Sequence, residues 1–325
     1  MKRLLALFLV LCLCFSLVAC SGNKKITQTP ESVPTQTEDP AVQGTATPLL
    51  YKVTDEAGHV AYLFGSIHVG QEYFYPLPSY VTEAFEGADV LAVEVDIVAF
   101  EKSLSAQISA MKPLIYTDGT RIDDHLPEEL YEEAVQFLQI AGAYADALDY
   151  YCPAMWSAYI DSFMYGQVDA PAELGIDRYL LKMAKEQDKP IQEVESAEFQ
   201  YTMLANFSEE LQILLLENSL ENARDVEGLK ADIQETMDLW ASGDEEAFVA
   251  TLYEETEVRE EDVPLYEEYE KAMVTDRNIS MADYAEEALA SGETVFICVG
   301  AAHVIGPGAM AELLSQRGYE VKLIQ

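Results

Sequence analysis

Two histidines of this sequence share the pattern Gly-x-x-His, and each follows an apolar run. Residues 65–68 read Gly-Ser-Ile-His after the run 60–64, and residues 300–303 read Gly-Ala-Ala-His after the run 295–299. Because the chain contains 4 histidines, a matched pair at equivalent positions is informative. The glycine of each motif lets the backbone approach a neighbour without an intervening side chain.

A carboxylate, Glu94, follows a third apolar run, residues 90–93. Sites in open α/β sheets form beyond the carboxyl ends of strands, so neighbouring strands would bring Glu94, His68 and His303 to one edge. Two imidazoles and one carboxylate suffice to bind a catalytic divalent metal and leave a position for water. The metal lowers the pKa of that water and polarises a carbonyl. The alternative is that each histidine ends a strand and bonds locally.

Two charged residues near these runs allow more than one interpretation. Asp96 shares a strand face with Glu94 if the strand continues, which would make it a further ligand or a partner of a ligand. Arg277 lies in a helical stretch with no acidic residue three or four positions away to pair with it. From the residues alone, a solvated charge is the favoured interpretation of Arg277. The other is an electrophilic clamp on a substrate carbonyl or carboxylate.

The elements that must position these residues indicate an α/β fold, with a mixed sheet formed from N- and C-terminal segments and a large helical insertion. Residues 49–53 and 60–67 predict a hairpin, because the turn sequence Asp-Glu-Ala-Gly separates two β-rich runs. Residues 99–289 are mostly helical in period. The chain then returns to strand, helix and strand over residues 294–324.

The N-terminus has the features of an exported bacterial lipoprotein. Residues 1–19 combine a basic start with an apolar stretch too short to span a bilayer, as in a signal peptide. The sequence before Cys20 resembles a lipobox, which implies cleavage there and lipid attachment to its sulfur. The alternative is an ordinary secretory signal with a chance cysteine. Residues 20–48 are rich in Thr, Pro and Gln and predict a disordered tether, so residues 49–325 form the folded domain.

The net charge of the chain argues against two classes of binding partner, nucleic acids and anionic lipids. The formal net charge is −39, and such a surface repels nucleic acid and anionic lipid headgroups. No stretch after the signal has the length of a membrane span, so the lipid at Cys20 is the one expected membrane contact. Cys152 and Cys298 are expected to be free thiols. No Gly-x-Ser-x-Gly sequence supports a serine hydrolase.

The order of the motifs resembles that of the TraB/GumN family, to which the animal Tiki proteases are related. The resemblance extends over about Leu49 to Gln325. It is carried by residues 64–70, Glu94, residues 173–177, Lys189-Pro190, Glu195, residues 276–278, residues 299–306 and Gly318-Tyr319.

The resemblance implies a metal-dependent, peptidase-like site. His68, His303 and Glu94 would bind manganese, cobalt or zinc, with Glu94 as ligand or general base, and Arg277 would contact the substrate. The usual zinc-protease motif His-Glu-x-x-His is absent, so the expectation of peptide hydrolysis depends on the resemblance. The function expected is a surface-anchored metal-dependent hydrolase of peptide or protein substrates. The alternative is a non-catalytic lipoprotein that uses the same cleft to bind a peptide or another ligand.

Overall fold

The computed structural model describes residues 44–168, 170–253 and 258–324. Within those ranges, six β-strands form one mixed sheet in the order β4-β3-β5-β2-β1-β6. Strands β4, β3, β5 and β2 are parallel, and β1 is antiparallel to both β2 and β6. The predicted fold class is confirmed, because N-terminal strands pair with C-terminal strands around a helical insertion. The strands are β1 Leu50–Thr54, β2 Val60–Ser66, β3 Val90–Val93, β4 Ile191–Glu193, β5 Val295–Gly300 and β6 Glu320–Ile324.

The central strands are buried on both faces, as the continuous apolar runs require. All residues of β5 are buried. Phe296 of β5 contacts Phe64 and Phe85, with ring centroids 5.6 Å apart in each pair. Helices therefore cover the middle of the sheet, and the ends of its strands are left to carry polar groups.

Helices make up most of the insertion between β3 and β5. Two of the longer helices, Val226–Ser242 and Asp276–Ser291, end at glycines in the left-handed conformation, Gly243 and Gly292, which is the usual helix stop. A π-helical segment, Lys271–Thr275, joins helix Val263–Glu270 to helix Asp276–Ser291. The helices are α1 Ser79–Gly87, α2 Ile97–Phe100, α3 Leu104–Met111, α4 Glu128–Ile140, α5 Pro153–Tyr165, α6 Ile176–Glu186, α7 Ala197–Ala205, α8 Glu209–Arg224, α9 Val226–Ser242, α10 Glu245–Leu252, α11 Val263–Glu270, α12 Asp276–Ser291, α13 Ala301–Val304 and α14 Met310–Gln316.

One tryptophan attaches the insertion to the end of β2. Trp240 of α9 donates from its indole Nε1 to the carbonyl oxygen of Gly65 at 2.8 Å. Its ring packs against Phe64, with centroids 6.2 Å apart, and against Phe74, with centroids 5.0 Å apart. Since Gly65 opens the first Gly-x-x-His motif, this contact fixes the insertion beside the candidate site.

The folded domain begins earlier than residue 49. The Thr45 amide donates to the Tyr73 carbonyl at 3.0 Å, and the Thr47 amide donates to the Ala241 carbonyl at 2.7 Å. Ala46 between them is 2% exposed. Residues 44–48 thus pack on the domain, whereas the predicted signal peptide, Cys20 and the rest of the predicted tether lie outside the described residues.

Two other expectations concern membrane spans and thiols. Over the described ranges, no helix combines the length and the apolar character needed to cross a bilayer. Cys152 and Cys298 are both buried free thiols, which confirms the expectation from the sequence. Burial raises the pKa of Cys152 to about 11, so this thiol stays protonated at neutral pH.

Candidate functional site

The two Gly-x-x-His motifs lie side by side at one edge of the sheet. In the parallel register of β2 and β5, Ser66 pairs with Gly300. A Cβ atom on Gly65 would lie 2.8 Å from the Cα atom of Ala301, so the first glycine is needed for the two motifs to approach each other. Strand β3, which ends one residue before Glu94, flanks β5 on its other side. The expected convergence of three strand ends is therefore present.

His68 is positioned by a loop that is closed against the start of α6. The Ile176 amide donates to the Ile67 carbonyl at 3.0 Å. A Cβ atom on Gly175 would lie 2.5 Å from the carbonyl oxygen of His68, so only glycine permits this contact. The second residue of α6, Asp177, places its Oδ2 2.8 Å from His68 Nδ1. The His68 side chain keeps 17% of its surface exposed.

His303 occupies a more enclosed position. It lies in the single turn of α13 directly after β5 and is fully buried, at 0% exposure. Its Nδ1 lies 2.7 Å from Oδ1 of Asn278, the third residue of α12. The Nδ2 of Asn278 donates to the Gly308 carbonyl at 2.9 Å. Both histidines thus face an oxygen acceptor through Nδ1.

Glu94 is buried and held from two directions. Its Oε1 accepts from the Gly300 amide at 2.6 Å, so the second Gly-x-x-His motif binds this carboxylate through its glycine. Its Oε2 accepts from Arg277 Nη2 at 2.6 Å and from Gln200 Nε2 at 3.3 Å. Strand β5, α7 and α12 therefore all fix the same carboxylate.

Arg277 is not a solvated charge, and that interpretation of the sequence is wrong. It is 1% exposed, and besides Glu94 it donates from Nε and Nη2 to the two carboxylate oxygens of Glu195, at 2.8 Å each. Its Nη1 donates to the Met273 carbonyl at 3.3 Å. The partners come from the ends of β3 and β4, far away in sequence, so spacing along the helix could not reveal them.

The interpretation of Asp96 as a metal ligand or as a partner of a ligand is also wrong. Strand β3 ends at Val93, so the alternation of side chains does not continue to Asp96. Its carboxylate instead caps α2 by accepting from the Ala99 amide, and it pairs with Lys185, both at 2.9 Å. Asp96 therefore stabilises the start of a helix.

The two histidines have opposite electrostatic environments. Burial lowers the pKa of His68, but the carboxylates of Asp177 and Glu94 together outweigh burial, so this pKa is raised. Burial, followed by the positive charges of Arg277 and His68, holds the pKa of His303 well below its usual value. Burial raises the pKa of Glu94 despite the opposing charge of Arg277.

The donor chemistry of the site suits a divalent metal. Two imidazoles and one buried carboxylate are ligands that zinc, manganese and cobalt accept. Each imidazole is oriented through Nδ1 by an oxygen acceptor, a feature that usually accompanies metal-ligating histidines. In the part of the chain that the structure describes, no three His, Cys, Asp or Glu side chains already form a group that could hold a metal. The assignment of His68, His303 and Glu94 as ligands stays a prediction.

The sequence motifs indicated no role for four residues of the site: Asp177, Glu195, Gln200 and Asn278. Three of them lie within segments that carried the family resemblance, namely residues 173–177, Glu195 and residues 276–278. Gln200 bridges the two carboxylates, with its Nε2 3.0 Å from Oε2 of Glu195. No local signal marks it, because α7 brings it to the site from outside those segments.

Comparisons with known proteins identify the family of the chain. The sequence model of the TraB/PrgY/gumN family matches residues 49–323. A relative from Shigella flexneri, described as uncharacterized protein YbaP, is 26% identical over 256 residues, which cover 78% of this chain and 87% of that protein. YbaP of Escherichia coli strain K12 is 26% identical over 255 residues, with the same coverage of 78% and 87%. No solved structure matches. The chain belongs to the TraB/PrgY/gumN family.

Proposed function

We propose that this protein is a metal-dependent hydrolase of peptide bonds, attached through Cys20 to the extracytoplasmic face of the bacterial cell membrane. The observation that carries the proposal is that three adjacent parallel strands, β3, β5 and β2, end at one edge of the sheet just before Glu94, His303 and His68. The Gly300 amide binds Glu94 directly, at 2.6 Å, and Gly300 pairs in the sheet with Ser66, two residues before His68.

His68 and His303, with Glu94, would hold a manganese, cobalt or zinc ion. Such an ion supplies Lewis acidity that activates water and polarises a carbonyl. The low pKa of His303 keeps its imidazole neutral, as a metal ligand must be. The Asp177 carboxylate holds the His68 ring in place through Nδ1, which leaves Nε2 as the nitrogen that would face the ion.

In the proposed reaction, Glu94 would transfer the proton and Arg277 would supply positive charge near the substrate carbonyl. Burial raises the pKa of Glu94 above its ordinary value, which makes its carboxylate a stronger base. As the general base, the alternative to its role as a ligand, Glu94 would take a proton from the attacking water and pass it to the leaving amine. Arg277 orients this carboxylate from a buried position, with Glu195 fixing the guanidinium in turn. Its positive charge beside the histidines would favour negative charge developing on a substrate carbonyl oxygen.

Hydrolysis is tested by incubating the chain with a peptide library and manganese, cobalt or zinc, and by analysing the products by mass spectrometry. We expect new peptide termini with the wild type and none with His68→Ala or His303→Ala. The control is His59→Ala, because His59 pairs with Asp55 in the β1–β2 turn, away from the site edge. Cleavage by either site variant would overturn the assignment. Peptides that bind in stoichiometric amounts but stay intact would favour a non-catalytic binding lipoprotein.

Membrane attachment is tested separately by metabolic labelling with radioactive palmitate. We expect the label to enter the wild-type chain and to be lost in Cys20→Ser, because the thiol is the proposed site of the lipid. Labelling of the Cys20→Ser chain would contradict the anchor. The result is independent of hydrolysis, since the substitution changes no residue of the candidate site.

A further inference from the structure

The orientation of the Asn278 amide is fixed by one neighbour. The Gly308 carbonyl is solely an acceptor, and it lies 2.9 Å from one terminal atom of Asn278. That atom must therefore be the Nδ2 donor, because two acceptors at this distance would repel each other. The other terminal atom, 2.7 Å from His303 Nδ1, is consequently the Oδ1 acceptor.

This orientation determines which ring nitrogen of His303 carries the proton. An amide oxygen only accepts, so the Nδ1 that faces it must carry the hydrogen. A neutral imidazole carries one ring proton, and the lone pair then lies on Nε2. The Asn278 amide cannot turn over and present its Nδ2 to His303, since the Gly308 carbonyl accepts a hydrogen bond and cannot donate one.

The same tautomer follows for His68 from a different partner. The Asp177 carboxylate accepts and, once ionised, cannot donate, and its Oδ2 lies 2.8 Å from His68 Nδ1. His68 therefore also carries a proton on Nδ1. Asp177 and Asn278 lie in the first turns of α6 and α12, so two unrelated helices impose one arrangement on the two motifs.

We propose that Asn278 and Asp177 are matched positioning residues that keep the proton of both histidines on Nδ1. Each Nε2 then carries a lone pair that can bind a ligand of the site. The consequence rests on the proposed function: Nε2 is the nitrogen that would bind the metal. Acceptors of this kind fix the tautomer and the ring orientation of ligating histidines, and their loss typically weakens metal binding by about 10- to 100-fold.

The tautomers can be read directly, without a metal or a substrate. The full chain is labelled with ¹⁵N-histidine, stripped of metal with a chelator, and studied by long-range ¹H–¹⁵N correlation at a pH where both imidazoles are neutral. The other two histidines are assigned from His59→Gln and His125→Gln. We expect pyrrole-type Nδ1 and pyridine-type Nε2 signals for His68 and His303. A pyrrole-type Nε2 on either one would overturn the proposal for that residue.

Two variants of Asn278 separate positioning from packing. Asn278→Asp and Asn278→Leu both remove the donor to Gly308, but only Asn278→Asp keeps an acceptor for His303. We expect Asn278→Asp to retain the Nδ1-protonated tautomer and to bind manganese, cobalt or zinc within about tenfold of the wild type, and Asn278→Leu to lose the tautomer preference and to bind about 10- to 100-fold more weakly. Near-ultraviolet circular dichroism checks that both fold.

The outcomes also distinguish this proposal from the proposed function. An unchanged His303 tautomer in folded Asn278→Leu, or equal losses of affinity in both variants, would show that Asn278 does not set the tautomer. If the expected tautomers are found but the wild type binds none of the three metals, the positioning holds and the metal-dependent function fails.

Discussion

The two Gly-x-x-His motifs match in sequence and in strand register, yet they produce two chemically different histidines. His68 faces a carboxylate, keeps 17% of its side chain exposed and has a raised pKa. His303 faces an amide, is fully buried beside Arg277 and has a pKa well below the usual value. The motif therefore decides where each ring lies, and the residue that meets Nδ1 decides how it titrates.

The difference gives the two histidines complementary properties. His303 stays neutral over the physiological range, so its lone pair is permanently available. His68, stabilised by Asp177, accepts a proton at higher pH than a free imidazole would. Neighbouring groups whose environments drive their pKa values apart are typical of sites that perform acid–base chemistry.

The largest change in the free energy of unfolding is expected from Arg277→Gln, which removes the positive charge that distinguishes the surroundings of His303 from those of His68. The variant leaves Glu94 and Glu195 buried without their partner, and such a loss costs about 3–5 kcal/mol of unfolding free energy. Urea unfolding of the metal-free chain measures it, and histidine NMR should show the pKa of His303 rising toward that of His68.

Arg224→Gln is the control for Arg277→Gln. Arg224 pairs with Glu133 at the surface, with 62% and 40% of the two side chains exposed. Exposed ion pairs contribute little to the free energy of unfolding, about 0–1 kcal/mol. Equal destabilisation by the two substitutions would mean that the ion pairs of Arg277 have no special weight in the fold.

A smaller effect, confined to the His68 side, is expected from Gly175→Ala. The added Cβ would lie 2.5 Å from the His68 carbonyl oxygen, so the backbone must move and stability should fall by about 1–3 kcal/mol. The distance between Asp177 and His68 would change, while His303 should keep its NMR signals. Gly87→Ala serves as the control, because nothing lies within 4 Å of its Cβ position. Equal shifts at both histidines would show that the two halves of the site are not independent.

The smallest effect on stability, but the clearest one on titration, is expected from Asp177→Asn. This substitution gives His68 the type of partner that His303 has, because an amide oxygen still accepts from Nδ1. The pKa of His68 should fall, and stability should drop by about 1 kcal/mol, the difference between a charged and a neutral hydrogen bond. Histidine NMR and urea unfolding between pH 5 and pH 9, both without metal, measure the two quantities.

The pH dependence of that loss has a definite sign. The pKa of His68 is raised above 6.5, so its pairing contributes stability below pH 6.5 that disappears as the pH rises through the folded-state pKa. The pKa of Asp177 is lowered from 3.8, so its contribution is present above that pH and disappears in stronger acid. The wild type should therefore exceed Asp177→Asn most between about pH 4 and 6.5. A constant difference up to pH 9 would contradict the ion pair.

The sheet and the three residues at its edge were predictable because apolar strands have a strong local signal. The runs before His68, Glu94 and His303 became β2, β3 and β5. The glycines within the motifs indicated close backbone contact, which the approach of Gly65 to Ala301 confirms. Fold class and candidate ligands therefore followed from short stretches of sequence.

The partners of these residues were not predictable, because they depend on tertiary contacts. The burial of Arg277 arises from carboxylates 183 and 82 positions away in the chain. The capping role of Asp96 depends on the strand ending at Val93, and a sequence pattern fixes such boundaries poorly. Asn278 resembles any polar residue of a helix until α12 is placed against α13.

Metal content is the most direct test of whether the two unlike histidines serve one metal site. Elemental analysis of the full chain, purified after exposure to manganese, cobalt and zinc, is compared with that of the double variant His68→Ala/His303→Ala. We expect about one divalent ion per chain in the wild type and none in the double variant. A wild type without metal, or a double variant that keeps its ion, would contradict it.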